Sequence, residues 1–226
     1  RDKKSKKETK ILATIEPKSC STNSIRQISK FTNFFRINGS HNCIEWHINV
    51  SKKIKEICPN SFVLLDIPGL KPRTNNNHDI MIKKNQRVNF VYGEQLVEKG
   101  LLSIKTTKPL PKINNLVKEF SVSDGLFKFK FIKTKKNYVQ GISETTFKLK
   151  SKKGLNIPYS YYDDALQQKL YLEFINKAKK VQFDGIGLSF IQNDKILKKI
   201  KSILTNKILV SKIENLHGLN NASEIS

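Results

Sequence analysis

"SFVLLDIPG", residues 61–69, is an apolar run that closes on a carboxylate, a proline and a glycine. A short run of this kind with a turn signal behind it reads as a buried strand. Asp66 near its end is not easily dismissed, because burying a charge without a partner is costly. Working upstream, "IEWHINVSKKIKEIC" (44–58) is an amphipathic helix that places Ile44, Ile48 and Ile54 near one face, and "NFFRIN" (33–38) is another strand. Before it, "STNSIRQISKF" (21–31) offers Ser, Thr and Asn as N-caps, with Ile25, Ile28 and Phe31 at helical spacing; "TKILATI" (9–15) is the first strand. Strand, helix, strand, helix, strand opens a parallel α/β fold.

Downstream the pattern changes. From about 75 to 152 the helical period is lost, and β-branched and aromatic alternation takes over in "RVNFVYG", "LFKFKFIK", "YVQGI" and "TTFKLK", with turns at "TNNNHD", "SDG" and "KKN". This is an all-β insertion. The α/β rhythm returns with a helix (164–180), the strand "FDGIGLSF" (183–190), a helix (193–204) and the strand "KILVSKI" (207–213). Five such strands are each apolar enough to be covered on both faces, and four of them carry polar residues toward their C-terminal ends: Arg36 and Asn38, Asp66, Ser189, and Lys212 with Glu214. In (β/α) barrels and open parallel sheets that edge is where sites are built.

Lys and Arg number 42 against 19 Asp and Glu, a formal charge of +23 that would attract nucleic acid or an anionic membrane. The excess is nearly all Lys, scattered and accompanied by Asn and Ile, which reads as composition; nucleic-acid readers favour Arg with interleaved aromatics. Cys20, Cys43 and Cys58 are widely spaced with no CxxC pair, so neither a disulfide framework nor a zinc site is suggested and a reducing cytoplasm fits. No apolar run reaches the ~18 residues of a membrane span. The opening "RDKKSKKETK" is a basic stretch without an initiator Met and reads as a trimmed start.

If the strand ends converge, Arg36, Arg73 and Lys212 supply positive charge for a phosphorylated, carboxylated small molecule, and Asp66 and Glu214 supply hard oxygen ligands for a cation. Lys212 and Glu214, two apart on a strand, point to one face. The set suits phosphoryl transfer, in which a protein positions groups and offsets charge. For Lys212 and Glu214 alone, spacing favours a surface ion pair. His47, His78 and His217 lack ligand spacing, and Trp46 and the Phe/Lys alternation of "LFKFKF" read as packing rather than base stacking.

These residues resemble the pyruvate kinases. "TKILATIEP" is similar to the family's opening TKI-x-x-T-I-G-P, "FRINGSH" to R-x-N-F-S-H and "LLDIPGLKPRT" to L-L-D-x-x-G-P-x-I-R-T. "VSDGLFKFKF" resembles the D-D-G-L segment of the lid, "SKKGLNIP" the K-G-x-N-L-P return, "FDGIGLSFI" the D-x-x-x-x-S-F strand, and "VSKIENLHGLNNASEI" the K-I-E-N-x-x-G-x-x-N-x-x-E-I segment. The resemblance runs in family order over residues 9–226.

It implies an α/β fold, a partial (β/α)8 TIM barrel of strands 1–5 with an inserted all-β lid. Residues 1–74, with a basic tail at 1–8, and 153–226 would form the barrel parts, and 75–152 the lid. It implies a glycolytic phosphotransferase that moves phosphoryl from phosphoenolpyruvate to ADP, giving pyruvate and ATP, with Mg2+ (or Mn2+) and K+, homo-oligomeric at full length. Arg36 corresponds to the residue on the phosphate of phosphoenolpyruvate, Lys212 to the lysine that stabilises the phosphoryl group in flight, and Ser189 to a substrate-side hydroxyl. Arg73 and His41 match nucleotide-side positions, and Glu214 a divalent-metal carboxylate. Asn38, Ser40, Asp66 and the backbone carbonyl of Ile67 match the monovalent site.

The chain departs from the pattern at Glu16 for Gly, Gly39 for Phe, Leu70 for Pro, Asn42, and Gln192 where a basic residue is usual; of D-D-G-L only Asp124 survives. Gly39 is expected to loosen packing behind the cation site and Glu16 to strain the backbone. The chain stops before the sixth strand and its second metal carboxylate, so by itself it is expected to be incomplete and inactive. The alternative is an inactive relative whose basic surface binds RNA or a ribonucleoprotein.

Overall fold

The computed structural model describes residues 9–94, 100–135 and 137–226; most of the basic opening stretch lies outside them. It begins with strand β1 (Leu12–Ile15), helix α1 (Thr22–Ser29), β2 (Phe34–Asn38), α2 (Ile44–Ile57) and β3 (Phe62–Ile67). Short strands follow: β4 (Ile80–Ile82), β5 (Arg87–Val91), β6 (Leu102–Lys105), β7 (Lys112–Ile113), β8 (Glu119–Val122), β9 (Phe127–Lys135), β10 (Tyr138–Ser143), β11 (Phe147–Leu149), β12 (Leu155–Asn156) and β13 (Ser160–Tyr161). Then come α3 (Asp164–Lys177), β14 (Gly185–Ser189), α4 (Asp194–Ile203), β15 (Ile208–Lys212), α5 (Leu216–Asn220) and α6 (Ala222–Ile225).

The chain is an α/β protein that divides into two compact units. The first comprises residues 1–68, 171–189 and 197–212, and the second residues 69–170, 190–196 and 213–226. The first is built on a parallel sheet of five strands in the order β1-β2-β3-β14-β15. Phe35, Ile37, Val63, Leu65, Ile67, Ile186 and Leu188 alternate onto one buried face of it. Asp184, just before β14, ties this sheet to α2: its carboxylate accepts from Lys55 Nζ at 2.7 Å and from the Val63 N–H at 2.8 Å.

Ser21 caps α1 by accepting from the Ser24 N–H. Ile25 is fully buried, but Phe31 lies beyond the helix and is 81% exposed. In α2 the buried face is His47, Val50, Ser51 and Ile54, not the Ile44, Ile48 and Ile54 stripe expected from hydrophobicity. Positions i, i+3, i+4 and i+7 form that face, and each member of the polar pair bonds to a nearby backbone carbonyl, although His47 Nδ1 has no partner among the described residues. His47 Nε2 bonds to the His41 carbonyl at 2.8 Å and the Ser51 hydroxyl donates to the Ile48 carbonyl. The expectation that every strand is covered on both faces fails at the two sheet edges, where Leu12 of β1 and Ile208 of β15 are 44% and 57% exposed.

The second unit holds a six-stranded sheet, β12-β8-β9-β10-β5-β6, antiparallel except for β5 with β6. Along β9, Phe129 is buried between exposed Lys128 and Lys130, so the Phe/Lys alternation is a half-buried strand. Phe129 stacks on Phe120 at 5.2 Å and meets Phe90 edge-on at 5.3 Å, forming the aromatic centre of this unit's core. Among the described residues no helix is long and apolar enough to cross a membrane.

Candidate active site

Strand register determines which side chains of the first unit share a face. Thr14 lies opposite Arg36, Asn38 opposite Asp66, Asp66 opposite Gly187, and Ser189 opposite Lys212. Register partners point the same way, as do residues two apart on one strand. Thr14, Arg36, Asn38, Asp66, Ser189 and Lys212 therefore rise from one face of the sheet.

Asp66 is the hub of that face, with its side chain 4% exposed. Arg36 donates to Asp66 Oδ2 from Nε at 2.8 Å and from its second terminal nitrogen at 2.5 Å, while its other terminal nitrogen donates to Thr14 Oγ1 at 3.1 Å. The Lys212 ammonium donates to both Asp66 oxygens, at 3.1 and 3.2 Å, and to Ser189 Oγ at 3.0 Å. Two cations on one carboxylate leave the cluster net positive, which suits an anionic ligand. Arg36 spends three of its five N–H groups on these bonds, so two remain for an oxyanion. Gly187 makes room for the hub, since a Cβ there would sit 3.3 Å from Asp66 Oδ1. Tyr171 donates its hydroxyl to the Ser189 carbonyl and so fixes the end of β14.

Of the residues expected to converge, Arg36, Asp66, Ser189 and Lys212 come together, although Arg36 sits in the middle of β2 rather than at its end. Thr14, Gly187 and Tyr171 were missed; the first two are brought in by register, which a single strand does not reveal, and Tyr171 reaches the site from α3. Asn38 accepts the Ser40 N–H at 3.0 Å, and the Gly39 N–H donates to the Asp66 carbonyl at 2.8 Å, so the chain folds back over the end of β3 beside Ile67. His41 is exposed, and its carbonyl holds His47. Gly39 does not loosen packing: a Cβ there would lie 2.7 Å from both the Asp66 carbonyl oxygen and the Phe174 ring, so Phe174 of α3 fills the space. Glu16 is not strained, because its φ is not positive and its N–H donates to Ser19 Oγ.

Arg73 and Glu214 belong to the second unit. Arg73 donates from its backbone to Thr107 Oγ1 and from its guanidinium to the Lys152 carbonyl. Lys108, overlooked in the sequence, donates from Nζ to the Gly69 carbonyl at 2.6 Å; burial, aided by the Arg73 charge, pulls it down to about 8. Glu214 is not a strand residue, since β15 ends at Lys212, and the argument from a shared strand face does not hold for it. Its carboxylate is exposed and accepts the Phe190 N–H at 3.0 Å. Nearby Tyr162 has its hydroxyl pushed well above the usual phenol range, by burial first and by the Glu214 charge second.

Among the described residues no three His, Cys, Asp or Glu side chains gather as a metal-holding group. The candidate donors are nonetheless of one chemical kind. Asn38, Ser40, Asp66 and the Ile67 carbonyl supply hard oxygens from the ends of two adjacent strands, and Glu214 supplies an exposed carboxylate. That set fits alkali and alkaline-earth cations and not a soft metal.

Comparison with known proteins converges on one family. The family profile described as "Pyruvate kinase, barrel domain" matches residues 6–226. The chain is 27% identical to pyruvate kinase of Trypanoplasma borreli, covering 96% of this chain and 45% of that protein. It is 27% identical to pyruvate kinase of Thermococcus litoralis, covering 96% and 48%. The crystal structure of Cryptosporidium parvum pyruvate kinase superposes with a TM-score of 0.75 at 24% identity, covering 96% of this chain and 49% of that one. The chain thus spans about half the length of the relatives it matches.

Proposed function

The chain belongs to the pyruvate kinase family, and from that premise we propose that it carries the phosphoenolpyruvate side of a phosphotransferase that makes pyruvate and ATP from phosphoenolpyruvate and ADP. The observation that carries the reading is the Asp66 hub, in which each of the five parallel strands contributes one side chain and the net charge is positive. In this reading the parallel sheet is the first five strands of a (β/α)8 barrel, and residues 75–152 are its lid.

The chemistry breaks the bond between phosphorus and the enol oxygen, forms one to the terminal phosphate oxygen of ADP, and leaves an enolate that takes a proton at carbon. Arg36 grips the phosphoryl oxygens with its two remaining N–H groups, held in aim by Asp66 and Thr14. Lys212 lends its charge to the phosphoryl group as it moves between oxygens, and Ser189 keeps the ammonium oriented. Arg73 and His41 serve the nucleotide phosphates. Mg2+ or Mn2+ at Glu214 would offset phosphate charge, and K+ would be held by Asn38, Ser40, Asp66 and the Ile67 carbonyl.

The test is pyruvate formation from phosphoenolpyruvate and ADP by the full-length protein with Mg2+ and K+. Lys212→Met should lower kcat by ~10²-fold or more while phosphoenolpyruvate binding changes little. Turnover that survives Lys212→Met, or is absent from the wild type, overturns the reading.

A further inference from the structure

Gln192 stands where the family pattern has a basic residue, yet it is 1% exposed and every hydrogen-bonding position of its amide is used. Its Oε1 accepts the Tyr162 N–H at 2.7 Å and Asn215 Nδ2 at 2.9 Å. Its Nε2 donates to the Tyr162 carbonyl at 2.9 Å and to Asp164 Oδ1 at 3.0 Å. Its own carbonyl accepts Asn221 Nδ2 at 2.8 Å. One side chain thus ties the start of α3 and the turn after β14 to the segment that follows Glu214.

That turn is itself unusual. Phe190 has φ +62, a conformation a bulky side chain adopts only when its surroundings hold it there. Gln167, also buried, donates from Nε2 to the Phe190 carbonyl at 2.5 Å and accepts the Leu70 N–H. The Phe190 N–H is the group that binds Glu214. Gly218 completes the fit, because a Cβ there would lie 2.3 Å from the Ile191 carbonyl, so α5 rests directly on the turn.

We infer that Gln192 is a positioning residue for the Glu214 carboxylate: it locks the Phe190–Gln192 turn to Asn215 and thereby fixes where Glu214 presents its oxygens to a divalent cation. The inference rests on Glu214 being a metal ligand, as proposed above. A basic side chain could not replace the amide, because two of its four bonds require an acceptor. Residues that orient a ligand are worth ~10–100-fold in metal affinity.

The experiment is a Mn2+ titration of the full-length protein with phosphoenolpyruvate present, followed by electron paramagnetic resonance. Gln192→Leu should weaken Mn2+ by about tenfold or more and alter the bound-ion line shape. Asn215→Ser keeps an oxygen to cap α5 but loses the donor to Gln192, so it should weaken Mn2+ in the same direction even if Gln192→Leu folds poorly. Gln192→Glu should lose affinity at alkaline pH and regain part of it on acidification, as its carboxyl recovers a donor proton. Glu214→Gln separates the two claims. If it weakens Mn2+ while Asn215→Ser and a folded Gln192→Leu stay within about twofold of wild type, the positioning role is refuted and the metal reading stands. If Glu214→Gln binds Mn2+ like the wild type, both fall.

Discussion

Replacing Asp66 with Asn removes one negative charge from the centre of the parallel sheet and leaves two cations facing each other. The side chain is 4% exposed, and it accepts from Arg36 at 2.5 Å and Lys212 at 3.1 Å. Removing one partner of a buried ion pair costs about 3–5 kcal/mol. Arg36 and Lys212 keep 26% and 31% of their side-chain surface in water, which relieves part of the exposed charge. The lower end therefore applies, about 3 kcal/mol. For a chain of this size that is a drop in Tm of about 6–12 °C. Differential scanning calorimetry measures it, and the loss should shrink as added salt screens the two like charges. A double-mutant cycle with Lys212→Met isolates the pair, because the Asp66→Asn penalty should fall once Lys212 no longer needs its counterion. A single variant that melts within about 2 °C of wild type, or a cycle that is strictly additive, refutes the hub.

Further outcomes follow from other positions. Gly39→Ala should destabilise the first unit by about 1–3 kcal/mol in urea denaturation, because the Phe174 ring can shift but the Asp66 carbonyl cannot. Lys108 is held to about 8 in the folded protein, against about 10.4 in an unfolded chain. Between those values the unfolded state binds more protons, so stability rises with pH across that window and the contribution is lost below it. Lys108→Met should flatten the rise, by up to about 3 kcal/mol in denaturation curves recorded across it.

Much of the parallel sheet was legible because strand alternation is a local signal. The five apolar runs expected as strands are the five strands of that sheet, in which Phe35, Ile37 and Leu65 lie on one face and Arg36, Asn38 and Asp66 on the other. Features that depend on distant partners were not legible. The buried stripe of α2 was misread because it contains His47 and Ser51, which reach the carbonyls of His41 and Ile48. Gly39 looked like a loss of packing because Phe174, which fills the space, lies far along the chain. Gln192 looked like a simple departure because its partners come from segments around 162–164, 215 and 221. Glu214 was drawn onto a strand that stops two residues earlier, because apolar Ile213 continues the alternation past the end of β15.

In the proposed function Arg36, aimed by Asp66 and Thr14, grips the phosphate of phosphoenolpyruvate. The most direct test is a phosphoenolpyruvate titration followed by 31P NMR, with Mg2+ and K+ present, on wild type, Arg36→Met and Arg73→Met. The phosphate resonance should shift and broaden with the wild type and Arg73→Met, and this response should be lost in Arg36→Met. A phosphate resonance that responds to Arg36→Met as it does to the wild type would contradict it.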